Sequence, residues 1–330
     1  MKPCRIRLYA VVVIVLLTFC VLTLPLVAEA QPPGRPYRIG VLHEAFVPNI
    51  PQVQGLKAGL KSMGLEEGRD VTFEILFTRG VLEATSAAAA DLVKAKVDLI
   101  FAANEEATQA AKAATNAIPV VFVRVGDPVA AGIVTAIARP GGNVTGISSL
   151  DTELAPKRLE ILKTIVPRLR RVWAVYHASD RSAGAAAQKA KEAAPLLKLE
   201  VLTRAVRTSE ELVASLKAVQ PGDGLISPPS VNMNIPGLIL DLEREARVPA
   251  VFFSAFWVRG GAMVSYGSDF YAAGVQAARL VARVLRGTKP YDLPVEGADK
   301  IELAVNLKAA RNLGITIPRE ILLRADHVIE

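Results

Sequence analysis

Residues 97–126, VDLIFAANEEATQAAKAATNAIPVVFVRVG, decide the fold. Val97–Ala102 is short and apolar, as a strand buried on both faces must be. Glu105–Thr115 is Ala-rich with polar residues at helical spacing. Val120–Val123, set between Pro119 and Gly126, is a second apolar strand. A strand, a helix and a strand in immediate succession form a βαβ unit, and such a crossover places the two strands in parallel.

The pattern extends in both directions. Upstream, Ile39–Leu42 reads as a strand. Pro51–Met63 reads as a helix, with Val53, Leu56 and Leu60 on one face and Gly64 at its end. Val71–Phe77 alternates as a strand, and Val81–Ala95 reads as a helix. Downstream, three glycines and a proline in Arg139–Gly146 mark a turn. The alternation then restarts. Helices are expected at Lys157–Val166, Gly184–Ala194, Glu210–Val219 and Ile235–Arg247. Strands are expected at Arg171–Tyr176, Leu199–Ala205, Gly224–Ser227 and Ala250–Phe253.

Phe270–Arg286 adds a helix, Gly287–Asp299 is polar, and Ile301–Val305 with Leu307–Asn312 is expected to finish the core. This tail is too short for a third domain. It is expected to return and complete both earlier sheets. The predicted class is α/β: two lobes with parallel sheets flanked by helices, joined by several crossing strands that act as a hinge.

The 330 residues exceed what one hydrophobic core usually serves, about 250–300 residues, so length also favours two lobes. The N-terminus is a separate matter. Lys2, Arg5 and Arg7 precede an apolar run from Leu8 to Leu24, and Ala28-Glu29-Ala30 supplies small residues for cleavage before Gln31. This is the layout of a secretory signal, and the expected location is the periplasm. An uncleaved membrane anchor and a lipoprotein built on Cys20 are the alternatives, although Phe19 stands where lipidation needs a small residue. Cleavage removes Cys4 and Cys20, which leaves no cysteine for a disulfide, and lowers the formal charge from +7 to +5. The remaining basic residues are dispersed, so no nucleic-acid partner is expected.

The chemistry-bearing motifs are few. The sequence contains no G-x-G-x-x-G, no G-x-x-x-x-G-K-[ST], no G-x-S-x-G and no H-E-x-x-H. His43, His177 and His327 are far apart in sequence, and a two-histidine metal site would need distant segments. No catalytic set, metal or cofactor is expected.

Candidate contacts come instead from the carboxyl ends of strands, where open parallel sheets bind ligands. In the first lobe these are His43, Glu44, Thr78, Arg79, Asn104, Glu105 and Asp127. In the second they are His177, Ser179, Asp180, Ser227, Ser230, Tyr266 and Ser268. Helix capping and turn formation are the competing roles for most of them. Glu105 and Glu106 occupy the first turn of a helix and repel an anionic group, so that terminus either binds nothing or faces an amine or hydroxyls.

Several motifs in fixed order resemble one family. They are Ala113-Ala-Thr115, Ile118–Phe122, Gly126-Asp-Pro-Val129, Ala138–Gly146, Lys157–Leu162, Ser265-Tyr-Gly267, Leu285–Pro290, Leu293–Glu296, Glu302–Lys308, Ala325-Asp326 and Val328-Ile329. Together they resemble the ABC transporter substrate-binding proteins of tryptophan/tyrosine type, over Tyr37 to Glu330. The resemblance implies a type I periplasmic-binding fold, with Rossmann-like lobes joined by a three-strand hinge. The expected boundaries are 1–30 for the signal, 36–147 plus about 268–297 for lobe one, and 148–267 plus about 298–330 for lobe two. It implies capture of a small molecule, an amino acid or similar, by hinge closure. The expected partners are an ABC permease and its ATPase, and the mature chain is expected to be soluble and monomeric. A ligand-sensing module serving a separate receptor and an exported α/β enzyme are the other readings. Asn104-Glu105-Glu106 is more acidic than the small and hydroxyl residues expected there in relatives.

Overall fold

The structure is a computed structural model that describes residues 34–330 apart from Phe46, Gly80 and 228–231. The expected signal segment and Ser230 lie outside the described residues.

Five strands alternate with three helices in the first part: β1 (Tyr37–His43), α1 (Pro51–Ser62), β2 (Val71–Phe77), α2 (Leu82–Lys94), β3 (Leu99–Ala102), α3 (Glu105–Ala114), β4 (Val120–Val125) and β5 (Val144–Ser148). The second part runs α4 (Asp151–Ile165), β6 (Arg171–His177), α5 (Arg181–Ala193), β7 (Glu200–Val206), α6 (Ser209–Lys217), β8 (Gly224–Ile226), α7 (Ile235–Ala246), β9 (Ala250–Phe252), α8 (Ala255–Arg259) and β10 (Val264–Ser268). The chain ends with α9 (Phe270–Leu285), β11 (Glu296–Gly297), β12 (Ile301–Asn306), α10 (Leu307–Asn312), α11 (Arg319–Leu322) and β13 (His327–Ile329).

The strands form two sheets. The first has the order β2-β1-β3-β4-β5-β11 and the second β7-β6-β8-β9-β10-β12-β13. Both repeat one winding: the first strand lies inside the second, and later strands add on the other side. All pairs are parallel except β10 with β12. Period-two alternation buries each sheet on both faces, as parallel sheets require. In the first sheet Ile39, Val41, Phe101 and Val121 pack on one side, and Leu42, Ile100, Val120 and Phe122 on the other. In the second, Val172, Ala174, Ile226 and Val251 oppose Trp173, Val175, Leu225 and Phe252.

Helix α9 follows a strand of the second sheet yet packs on α1, beside the first. Glycines decide this. A Cβ on Gly55 would lie 2.0 Å from the Tyr271 carbonyl oxygen, and one on Gly274 would lie 2.1 Å from that of Gln52. Only bare backbone allows the two helices so close.

The chain therefore passes between sheets three times: at Ser148–Asp151, Ser268–Phe270 and Gly297–Ile301. The crossings are tied together. The Ala298 N–H donates to the Ser148 carbonyl (2.8 Å), and that of Asp269 to the Lys300 carbonyl (3.0 Å). Arg158 of α4 is fully buried, donates to the Tyr266 carbonyl (2.6 Å) and pairs with Asp151 (2.5 Å), so one side chain grips two of the crossings.

Some boundaries differ from the sequence reading. The turn expected through Gly146 ends at Asn143, and Val144 already pairs with Val120 in β5. Helix α4 begins at Asp151 rather than Lys157 and runs through Pro156 in its second turn. The core does not finish at Asn312, since β13 adds beside β12. The antiparallel β10–β12 pair was not expected.

Candidate functional site

The winding of each sheet reverses between β1 and β3, and again between β6 and β8. Open α/β sheets bind ligands outside the carboxyl ends of strands at such reversals. There the two sheets face each other and enclose a cavity lined by Asn104, Glu105, Glu106, Arg124, Gly126, Ser149, Asp151, Asp180, Ser182, Phe253 and Phe270. Its volume of about 20 Å³ holds little more than one water. The lobes touch here. The Asp127 N–H donates to the Ser182 hydroxyl (3.0 Å), and Ser182 also donates to Glu105.

The first-lobe wall is the start of α3. Asn104 caps this helix, accepting from the Ala107 N–H (2.9 Å), and its amide donates to Glu106 (2.7 Å). Burial pushes the Glu105 carboxyl up to about 8, and Asp180 across the cleft adds to the rise. Burial likewise pushes Glu106 up to about 7, with Asp180 and Glu44 adding to it. A helix N-terminus favours a carboxylate by about 0.3–1 kcal/mol, and here that is outweighed by desolvation and like charge.

Arg124 supplies the opposite charge. It sits at φ 58°, in the left-handed region, where β4 slips register against β5 between Phe122 and Val125. A bulge of this kind re-aims a side chain at a cost of about 1–3 kcal/mol. The guanidinium lies 4.5 Å from the Phe270 ring centroid and donates to Glu44 Oε1 at 3.3 Å. That is its one hydrogen bond among the described residues, so most of its donors are left for the cavity it lines. The second oxygen of Glu44, Oε2, is buried without a partner.

The second-lobe wall is the start of α5 and α4. Asp180 caps α5 through the Ala183 N–H (2.8 Å). Asp151 is neutralised by Arg158 and accepts from the Ser149 hydroxyl (2.6 Å). Among the described residues, no group of three or more His, Cys, Asp or Glu is arranged to hold a metal ion.

Of the residues expected from sequence, Asn104, Glu105 and Asp180 line the cavity, and Glu44 reaches it through Arg124. Asp127 meets Ser182 at the lobe contact through its backbone N–H, and the other described candidates do not line the cavity. His43 is fully buried: its ring stacks on Phe77, Nε2 meets the Pro48 carbonyl (3.2 Å), and Nδ1 accepts from the Ala45 N–H (3.2 Å). It shapes the loop after β1, and burial holds its pKa below the usual histidine value. Thr78 meets Thr85 (3.3 Å), and Arg79 lies over Phe77. The Asp127 carboxylate caps its own turn through the N–H groups of Val129 and Ala130. His177 and Ser179 bond each other (2.6 Å). Ser227 and Ser268 are buried at strand ends, and Tyr266 serves Arg158 through its carbonyl.

Arg124, Ser182, Phe253 and Phe270 were not expected at the site. For Arg124 the signal was present: a lone cation inside the apolar run VVFVRV.

Comparison with known proteins places this cleft in context. Residues 43–329 match the family described as ABC transporter substrate binding protein. The chain belongs to that family. A tyrosine-binding protein of Clostridioides difficile is 27% identical over 271 residues, which cover 81% of this chain and 78% of that protein. An ABC domain from Streptococcus pneumoniae crystallised with L-Trp superposes with a TM-score of 0.80 at 26% identity, over 89% of this binding protein and all of that chain. A ligand-free, open substrate binding protein with adhesive properties from Clostridium difficile gives 0.67 at 25% identity, over 89% and 99%. The type I periplasmic-binding fold is common to the wider set of neighbours. No helix among the described residues of this binding protein is long and apolar enough to cross a membrane.

Proposed function

We propose that this binding protein captures a free amino acid in the cleft and presents it, with the lobes closed, to an ABC permease and its ATPase. The observation that carries the reading is the pairing of opposite charges across one small cavity. Arg124, with most of its donors unused, suits an α-carboxylate, and Glu105 and Glu106 suit an ammonium. An Arg–carboxylate contact is a strong, oriented one. The tyrosine-binding and tryptophan-bound relatives support the same ligand class.

In this reading the chain is exported to the periplasm, cleaved after Ala30, and does no chemistry on its ligand. Lobe one comprises residues 36–147 with about 268–297, and lobe two comprises 148–267 with about 298–330. The three crossings flex as a hinge. The open form admits the ligand, and contacts from both lobes favour closure.

Thermal unfolding in the presence of the proteinogenic amino acids, sugars, purines and organic acids tests this. A ligand at about 100 times its Kd stabilises the native state by about 2.7 kcal/mol, which an unfolding scan resolves. At least one amino acid is expected to raise the melting temperature, and Arg124→Ala to abolish the rise. A rise with a sugar or purine alone would overturn the reading, as would turnover of any compound tested.

A further inference from the structure

The cleft is a ligand site because of the fold, and the charges inside it say more about what enters. Arg124 is the one cation among the described residues that line the cavity, and Glu44 already answers it. Asp151 is answered by Arg158. Asp180 caps α5, and Glu105 and Glu106 face it from the first turn of α3. Glu105 bonds Gln109 and Ser182, and Glu106 bonds Asn104, all of them neutral groups. Neither forms an ion pair among the described residues, and both face Asp180 across the cleft.

A neutral amino acid brings one ammonium and one carboxylate to this arrangement. Its carboxylate would share Arg124 with Glu44, since the guanidinium has donors for both, and its ammonium could answer only one of the two glutamates. The other would stay buried beside Asp180 as an unanswered charge or hold a proton. Burial and the neighbouring Asp180 favour the protonated form, which leaves a carboxyl that a cation can still convert to an ion pair. A ligand with a second cationic group supplies that partner in place of the proton.

We infer that the ligand is a basic amino acid, with its α-carboxylate on Arg124 and its two cationic groups on the first-turn carboxylates of α3, Glu105 and Glu106. This rests on the amino-acid reading above and narrows it. Phe253, buried in the second-lobe wall, offers an apolar surface to the methylene stem of such a side chain. Both glutamates are held protonated more readily than an ordinary carboxyl, so binding of the second cation displaces protons from the site.

The test is titration calorimetry on the purified protein, stripped of carried-over solute by unfolding and refolding. L-lysine, L-arginine, L-tryptophan, L-tyrosine and the diamine putrescine are compared at pH 7.0, each in two buffers of different ionisation enthalpy. Lysine or arginine is expected to bind at least tenfold more tightly than tryptophan or tyrosine, and to release protons on binding. Glu105→Gln and Glu106→Gln should each shrink that preference, while the melting temperature of the free variants shows that they fold. Tryptophan or tyrosine binding as tightly as lysine, with no proton release, would overturn the charge inference and leave the amino-acid reading standing. Putrescine binding as tightly as lysine, with Arg124→Ala indifferent, would remove the carboxylate anchor and with it the amino-acid reading, while the charge inference survives. Failure of lysine and arginine to bind would overturn the charge inference, and the amino-acid reading then stands or falls on the full thermal-unfolding panel.

Discussion

Arg124 shows how one residue sets strain against function. Its left-handed backbone costs an L-residue about 1–2 kcal/mol, a cost glycine does not bear. Among the described residues its side chain makes a single hydrogen bond, to Glu44, and it covers the Phe270 ring. Two substitutions separate these effects. Arg124→Ala removes the guanidinium and keeps the strain, whereas Arg124→Gly removes both. The glycine variant should be more stable than the alanine variant by about 1 kcal/mol in urea unfolding. Both should lose ligand affinity by at least tenfold in calorimetry. Equal stability of the two would show that the φ of 58° is not strained in solution. The residue was legible in part. A cation in an apolar strand is a clear anomaly, but a bulge is a relation between two strands, and no local pattern reports it. The placement of His43 has a similar cause. Its place at a strand end is real, but whether a ring turns toward the cleft or into the loop behind depends on Phe77, on a neighbouring strand.

At the scale of elements, periodicity carried most of the fold, because each parallel strand is apolar on both faces and each helix between strands is amphipathic. It failed where tertiary contact overrides pattern. Asp151 and Arg158 are an example. Arg158 lies three residues after Ala155 and four before Leu162, on the apolar stripe of α4, yet it is a charge and reads as solvent-facing. Its burial makes sense only with Asp151 and the Tyr266 carbonyl in place. Removing one partner of such a pair leaves a buried charge, so Arg158→Met should destabilise by about 3–5 kcal/mol. Pairing it with Asp151→Asn should recover part of the loss, and urea unfolding of the single and double variants measures both. Full additivity would mean that the two side chains act independently. Gly126 makes the matching point about closure. A Cβ there would lie 3.1 Å from Cβ of both Asp151 and Ser182, on the opposite lobe. Gly126→Val should wedge the lobes apart, raising the radius of gyration of the liganded protein in small-angle scattering and weakening binding. Unchanged scattering and affinity would show that the lobes meet elsewhere.

The whole molecule joins these parts through charge. Closure brings Glu105 and Glu106 on one lobe against Asp180 on the other, with Arg124, Glu44 and the Asp151–Arg158 pair around them. The closed, ligand-free protein should therefore be sensitive to pH in a defined direction. Burial holds the Glu105 carboxyl at about 8 when folded, above the 4.5 of a free glutamate. The folded state then holds more protons than the unfolded chain between these values. Stability from this group is present in full below about 4.5 and is lost as pH rises toward about 8. Glu106 and Glu243, at about 7 and about 8, act in the same direction. His43 acts in the opposite one: its value is depressed by burial, so its contribution is lost as pH falls below the ordinary histidine value of 6.5. The raw melting curve mixes these opposed terms, and a neutral isostere separates them. Glu105→Gln keeps the shape and cannot ionise. Its melting temperature relative to the wild type should rise steadily from pH 5 to pH 8 and then level off, because only the wild type carries the growing cost of ionising a buried carboxyl. A difference that is flat with pH would mean that Glu105 is ionised throughout and solvated, and that the lobes stand apart in the free protein. In a saturating basic amino acid the same comparison should reverse. The ligand's cation answers the carboxylate, so the wild type should melt above Glu105→Gln at pH 8.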